Sequence, residues 1–205
     1  MPTLHSTLTG ADLHETKGAA TATSGQYLTA NGDGTATFKT LATAQVGWYD
    51  YNDTATVGTP IALTAGVKAD LTNNTLGVNT NIAFGIPGVA DIWNSGTNRF
   101  DFTQLTIGDT LETRVDILYT TTGANTAITL EFEFASGTGS AFPLIILTQT
   151  NFKTAGTYQI THSRGFYIGS ALVRDNPCRI RALSDSAGSS VVVNGWYTRV
   201  IKGAI

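Results

Sequence analysis

The clearest alternation of apolar and polar positions lies between Leu111 and Phe134. Leu111, Thr113, Val115, Ile117 and Tyr119 fall on one face, with Glu112, Arg114 and Asp116 on the other. A second run puts Ile128, Leu130, Phe132 and Phe134 against Thr129, Glu131 and Glu133. Side chains alternate across a strand, so each run predicts a strand with one buried and one wet face. The connection TTTGANT carries Gly123 and Asn125, residues that tolerate turn dihedrals. Such an antiparallel pair predicts a sandwich whose sheets each hide one side.

From Gln45 onward the pattern is strand and turn. QVGWYDY sets Val46, Trp48 and Asp50 against Gly47, Tyr49 and Tyr51, and TPIALTAG is a short strand whose Pro60 marks an edge or a start. LTNNTLG reads as a turn. Residues 81–102 read as loop anchored by Ile82, Phe84, Ile86, Ile92, Trp93, Phe100 and Phe102, with one helical turn at Asp91 to Asn94. FPLIILTQT is apolar at its centre and predicts a strand covered on both faces. TYQITHS, a turn at Arg164-Gly165, then GFYIGSALVR, PCRIRALS and SSVVVNGWYTRVI bring the total to about eight strands, with turn signals every ~8–12 residues. The expected class is all-β: a jelly-roll-like antiparallel sandwich head over residues 46–205.

Residues 1–45 differ. They are rich in Thr, Ala and Gly, with few large apolar residues: Leu4, Leu8, Leu13, Tyr27, Leu28, Phe38 and Leu41, of which all but Leu41, together with His14, are the candidate attachment contacts. So little apolar area cannot offset the chain entropy alone, which predicts an extended N-terminal arm that orders against something else. GADLHE suggests a capped turn or one short helical turn, and ANGDGT a tight turn between Tyr27-Leu28 and Phe38. ANGDGT has one acidic residue, Asp33, and no closing Glu, so it is read as a hairpin turn and not as a calcium loop.

Composition sharpens this. Of 205 residues only 13% are charged, about half the usual ~25%. Polarity comes from Thr, Asn, Ser and 22 Gly, which suits Thr-bearing strands and short turns. A net charge of −3 with no basic stripe excludes nucleic acid as the expected partner. Arg174, Arg179 and Arg181 read as the wet face of a strand pair. The single cysteine, Cys178, supports neither a disulfide framework nor a metal site and reads as a buried small hydrophobe. There is no apolar leader core and no run long enough to insert in a membrane, so the expectation is a protein made and assembled in a cytoplasm.

Two sets of residues carry a resemblance. Leu8 to Glu15, Lys17-Gly18, Gly25, Tyr27-Leu28, Ala30 to Gly32, Gly34 and Phe38 match an "LTGADLHE-KG" stretch followed by "G-x-YL-ANG-G-x-x-x-F". This resembles the N-terminal segment of phage virion fibre and decoration proteins. NRFDFTQLTIGDTLETRVDILYTTTGAN and VNGWYTRVI, Val193 to Ile201, resemble the middle and final strand of the head domain of such fibres. The resemblance implies a homotrimer on the outer surface of the capsid. Its arm would be anchored to the major capsid protein or another virion structural protein, as decoration or head fibre. The alternative is a tail-associated receptor-binding tip that recognises a host surface glycan or protein. No catalytic motif maps onto these positions.

Candidate chemistry is thin. Glu131 and Glu133, two apart on a strand, share a face at ~6.5–7 Å, near the separation an inverting glycosidase needs. The competing and favoured reading is the polar face of an amphipathic strand, opposite Arg114. His5 and His14 read as turn caps, or as ligands for an ion on a threefold axis. His162 beside Ser163 lacks a nucleophile elbow. The sequons at Asn52 and Asn73 read as coincidence in a chain rich in Asn and Thr. No catalytic residue, metal or cofactor is expected. The aromatics Trp48, Tyr49, Tyr51, Trp93, Trp196 and Tyr197 are read either as core or as a trimer interface, where Trp and Tyr supply large contact area.

Overall fold

The computed structural model describes residues 22–33, 35–40 and 45–203. The chain divides into two units, with the division between Thr43 and Ala44. In the first, β1 (Gln26–Ala30) and β2 (Ala36–Thr40) pair antiparallel, from Gln26 opposite Thr40 to Ala30 opposite Ala36. The turn between them is held by Asp33, which accepts bonds from the Thr35 amide (2.9 Å) and hydroxyl (2.6 Å). GADLHE lies outside the described residues.

The second unit holds the remaining elements. They are β3 (Gln45–Asn52), α1 (Ala55–Gly58), β4 (Ile61–Leu63), β5 (Ala69–Asp70), β6 (Trp93–Asn94), β7 (Arg99–Phe100), β8 (Thr110–Thr121), β9 (Thr126–Phe134), β10 (Phe142–Phe152), β11 (Gly156–Tyr167), α2 (Ala171–Arg174), β12 (Arg179–Ser184) and β13 (Ser189–Lys202). One sheet runs β11-β8-β13-β3, with β4 also on β13; the other runs β10-β9-β12-β5. Setting aside the short β4, β6 and β7, the pairs are first with last (β3-β13), second with seventh (β5-β12), third with sixth (β8-β11) and fourth with fifth (β9-β10), all antiparallel. That nested pairing is the jelly roll.

The sequence's strongest pair behaves as its alternation requires, although its halves part. β8 enters the five-stranded sheet and β9 the four-stranded one, so the TTTGANT turn is a corner between layers. Leu111, Val115, Ile117 and Tyr119 then face Ile128, Leu130 and Phe132 across one buried core. β13 switches parity along its length. Val191 and Val193 are buried, then Trp196, Thr198 and Val200. The cause is a bulge at Asn194, where the register with β8 skips from Val193 to Gly195. Gly195 is required there, because a Cβ would sit 2.3 Å from the Tyr51 carbonyl oxygen.

The segment between β5 and β8 is mostly irregular and plugs one side of the sandwich. Two fully buried phenols on β3 hold it. The Tyr49 hydroxyl donates to the Val89 carbonyl (3.0 Å) and accepts from the Ile86 amide (3.2 Å). The Tyr51 hydroxyl donates to Asp91 (2.5 Å) and accepts from the Ile92 amide (3.3 Å). Trp93 stacks edge-on to Trp196 (4.6 Å) and to Phe100 (4.9 Å), and its Nε1 donates to the Asn73 carbonyl (3.1 Å).

Four local expectations need correction. Asp91 to Asn94 is not a helical turn: Trp93–Asn94 pairs with Arg99–Phe100 as a miniature hairpin. β11 runs straight through Arg164-Gly165 with no turn, in unbroken register with β8. GFYIGSALVR is not one strand, since β11 stops at Tyr167 and α2 follows. β10 is an edge strand and not a doubly covered one. Pro143 and two register irregularities break it, and of the residues whose burial is described only Ile146 and Phe152 are buried.

Gly195→Ala should destabilise the head by about 3 kcal/mol or more, because the added methyl meets backbone and not a movable side chain. Gly139→Ala, with open space around the new Cβ, should stay within about 0.5 kcal/mol. Paired urea titrations measure both, and equal effects would remove the bulge argument.

Candidate functional site

The carboxylate pair is the first place to look for chemistry. Glu131 and Glu133 do share the outer face of β9, but neither is wet: they are 3% and 7% exposed. Nor is Arg114 their partner. β12 lies beside β9 and sets Arg181 opposite Glu131 and Arg179 opposite Glu133. The result is a chain of ion pairs with alternating sign. Lys68 meets Glu131 (2.9 Å), and Arg181 bridges Glu131 (2.5 Å) and Glu133 (2.6 Å). Arg179 joins Glu133 to Asp70, and Arg99 closes on Asp70 (2.9 Å).

Electrostatics here oppose acid catalysis. Burial pushes the Glu133 carboxyl up. Hydrogen bonds from Arg179 and Ser136, with the charges of Arg181 and Arg179, outweigh it and hold the carboxyl below the ordinary range. A glycosidase acid needs the reverse shift. Arg179 and Arg181 are half-buried members of this network and not a wet basic face, while Arg174 pairs with its neighbour Asp175 in the open. The signal was present in the sequence as two period-two charge runs of opposite sign, one on each of two strands.

The proposed interface aromatics divide sharply. Tyr49, Tyr51, Trp93 and Trp196 are 0%, 0%, 4% and 1% exposed. They belong to the core and offer no area to another molecule, so that part of the expectation is corrected. Trp48 and Tyr197 are half-buried on the outer face of the five-stranded sheet. There they join a row: Phe84 stacks on Trp48 (4.9 Å), Tyr197 lies 5.8 Å beyond, and the Arg114 guanidinium sits 5.7 Å from the Tyr197 ring. Val46, Ile82 and Phe84 are exposed. Phe84 carries no periodic signal. It is placed by the bond from the Trp48 amide to its carbonyl (3.0 Å).

Beside this row is a polar cleft of about 260 Å³, lined by Asp50, Asn52, Asn79, Arg114, Asp116 and Asn194 among others. Burial raises the Asp50 carboxyl above its usual range, against a hydrogen bond from Asn52 (3.0 Å). A second pocket, of about 460 Å³, is apolar and opens where β10 and β11 approach, lined by Phe134, Phe142, Leu144, Phe166, Tyr167 and Val173 among others.

The other sequence candidates fall as follows. Tyr27 and Leu28 are exposed and Phe38 is half-buried on the β1–β2 hairpin. Leu4, Leu8, Leu13, His5 and His14 lie outside the described residues. His162 and Ser163 are adjacent on β11, so their side chains point to opposite faces. Cys178 is buried, and burial pushes its thiol well up, which makes it inert. Asn73 is fully buried and its amide donates to the Tyr51 carbonyl (2.9 Å), so it cannot carry a glycan. Among the described residues no cluster of three or more His, Cys, Asp or Glu has the arrangement of a metal site, and no helix is long and apolar enough to cross a membrane.

No family model matches the chain, and no curated protein matches it. Solved structures of similar shape exist. A chain of the infectious bursal disease virus T13 particle aligns at 7% identity and TM-score 0.41, over 85% of this chain and 35% of that one. The Eiger TNF of S. frugiperda aligns at 9% and 0.45, over 78% and 95%. The CBM22-1 xylan-binding domain of Paenibacillus barcinonensis Xyn10C aligns at 10% and 0.36, over 80% and 96%. This chain thus spans about a third of the length of the virus chains it matches.

Arg181→Met should cost about 3 kcal/mol, since it leaves two buried carboxylates without their shared cation. Arg174→Met should leave the melting temperature unchanged. Because the Glu133 carboxyl is held low in the folded state, its contribution is fully present above its unfolded value near 4.5 and is lost as pH falls through the folded value. A melting-temperature series from neutral to acid pH should therefore be flatter for Glu133→Gln than for the parent chain.

Proposed function

We propose that this chain is a non-enzymatic phage virion structural protein, a decoration or head-fibre protein on the outer capsid surface. The observation that carries the reading is the junction of two features in one chain. The "LTGADLHE" and "YL-ANG" wording runs through residues 8–38, and the sandwich that follows has the nested strand pairing of a jelly roll. Fold alone does not assign function; the arm wording gives the reading its direction. The ion-paired state of Glu131 and Glu133 supports a non-catalytic role.

The working form is a homotrimer, and the partner is the major capsid protein or another virion structural protein. Three arms engage the particle together, so the second and third attach at high effective concentration with no new kind of contact. The row of exposed Phe84 with half-buried Trp48 and Tyr197, flanked by exposed Val46 and Ile82, supplies apolar area of the sort that joins copies. The second reading, a tail-associated tip that grips a host glycan or protein, is favoured by the polar cleft beside that same row.

Removal of residues 1–40 should leave a folded trimeric head that no longer binds particles, scored by co-sedimentation with arm-depleted virions. A truncated head that still decorates them would sink the arm's role. Phe84→Asp should shift the trimer towards monomer in analytical ultracentrifugation. Immunogold labelling of intact particles separates the two placements: label spread over the capsid supports decoration, and label confined to the tail supports the receptor-binding tip.

A further inference from the structure

Edge strands expose unpaired backbone groups, and proteins blunt them unless they are used. At the margins of the two sandwich sheets lie β11, β3, β10 and β5, with the three-residue β4 beside β13, and all but β11 are blunted or short. β3 is covered by residues 77–84, through reciprocal bonds between Asp50 and Asn81 (2.8 Å each) and the Trp48 amide on Phe84. β5 is two residues long. β10 carries Pro143 and two register breaks.

β11 is different. It is 12 residues long, has no proline, and pairs with β8 without a register shift from Gly156 to Tyr167. Among the described residues its backbone finds no partner strand besides β8. Thr161 to Gly165 are exposed without a break, although His162 and Arg164 sit on the strand face that elsewhere turns inward, opposite Val115 and Thr113. The apolar pocket of about 460 Å³ opens at the end of the same strand, with Gly165, Phe166 and Tyr167 in its wall.

We propose that β11 is a docking edge for an extended segment of another polypeptide, which adds as an outer strand and seats one bulky apolar side chain in the adjoining pocket. Backbone pairing supplies the affinity and the pocket the selectivity, as in strand addition generally. Charge narrows the occupant. The only fully charged side chain on β11 is Arg164, exposed and without an ion pair among the described residues. An acidic residue beside the anchor complements it. Pairing of β11 with β11 of a second copy would bring two cationic strands together and leave the pocket without an anchor. The inference stands apart from the virion reading, since it depends only on the edge, the pocket and the charge.

The test uses the full chain and a fluorescein-labelled nonapeptide of alternating threonine and valine, with a central phenylalanine and a glutamate on either side of it. Anisotropy should show saturable binding, and hydrogen–deuterium exchange should slow across residues 156–167 but not across β3. Arg164→Glu, at an exposed position, should keep the fold and weaken binding about five-fold. The proposal is overturned if the peptide fails to saturate up to millimolar concentration or binds without protecting β11. An affinity indifferent to Arg164→Glu overturns it as well. So does protection of β11 that rises with protein concentration in the absence of peptide, which would assign the edge to a second copy.

Discussion

Two buried phenols on β3 carry a requirement that no aliphatic residue could meet. The segment between β5 and β8 is too irregular to satisfy its own backbone, and a buried amide or carbonyl without a partner costs about 1–3 kcal/mol. Tyr49 and Tyr51 each act as donor and acceptor, so four polar groups of that segment are satisfied from inside the core. With residues 86–92 fixed, Trp93 reaches Trp196 and the aromatic core closes. Phe84 is set on Trp48 separately, by the bond from the Trp48 amide to its carbonyl.

The outer faces of the two sheets have taken opposite roles. The four-stranded sheet turns its charges on itself, in an alternating chain from Lys68 to Arg99 that pairs Glu131, Glu133 and Asp70. Buried pairs of this kind stabilise weakly overall yet penalise the loss of any one member heavily. The five-stranded sheet has few ion pairs and keeps its aromatic row, its polar cleft and its open edge available. The apolar pocket draws on both sheets, with Phe134, Phe142 and Leu144 from one and Phe166 and Tyr167 from the other.

The fold class was readable from period two alone, and the apolar positions that alternate cleanly, such as Leu111, Val115, Ile117 and Tyr119 or Ile128, Leu130, Phe132 and Phe134, were placed correctly. Errors arose where a second strand decides the environment. Glu131 alternates as a wet residue and is buried by Arg181 and Lys68, which come from elsewhere in the chain. FPLIILTQT is apolar enough for a central strand, and Pro143 with its bulges sends it to an edge. The parity change at Asn194 is a two-residue event that no window average registers. Of the six candidate interface aromatics, Trp48 and Tyr197 differ from the rest only by the face of the strand they occupy, and strand parity was legible at Trp48.

The position of β13 has a consequence in time. It lies between β8 and β3 and also takes β4, so the middle of the larger sheet is the segment of the sandwich that leaves a ribosome last. Until Ser189 to Lys202 emerge, β3 and β8 have no common neighbour, and their apolar faces wait uncovered. Topologies dominated by such distant pairings fold slowly, and their incomplete forms are the ones that aggregate. The larger sheet of this chain is therefore joined only when its last strand arrives, and until then β3 and the β8–β11 pair remain separate pieces.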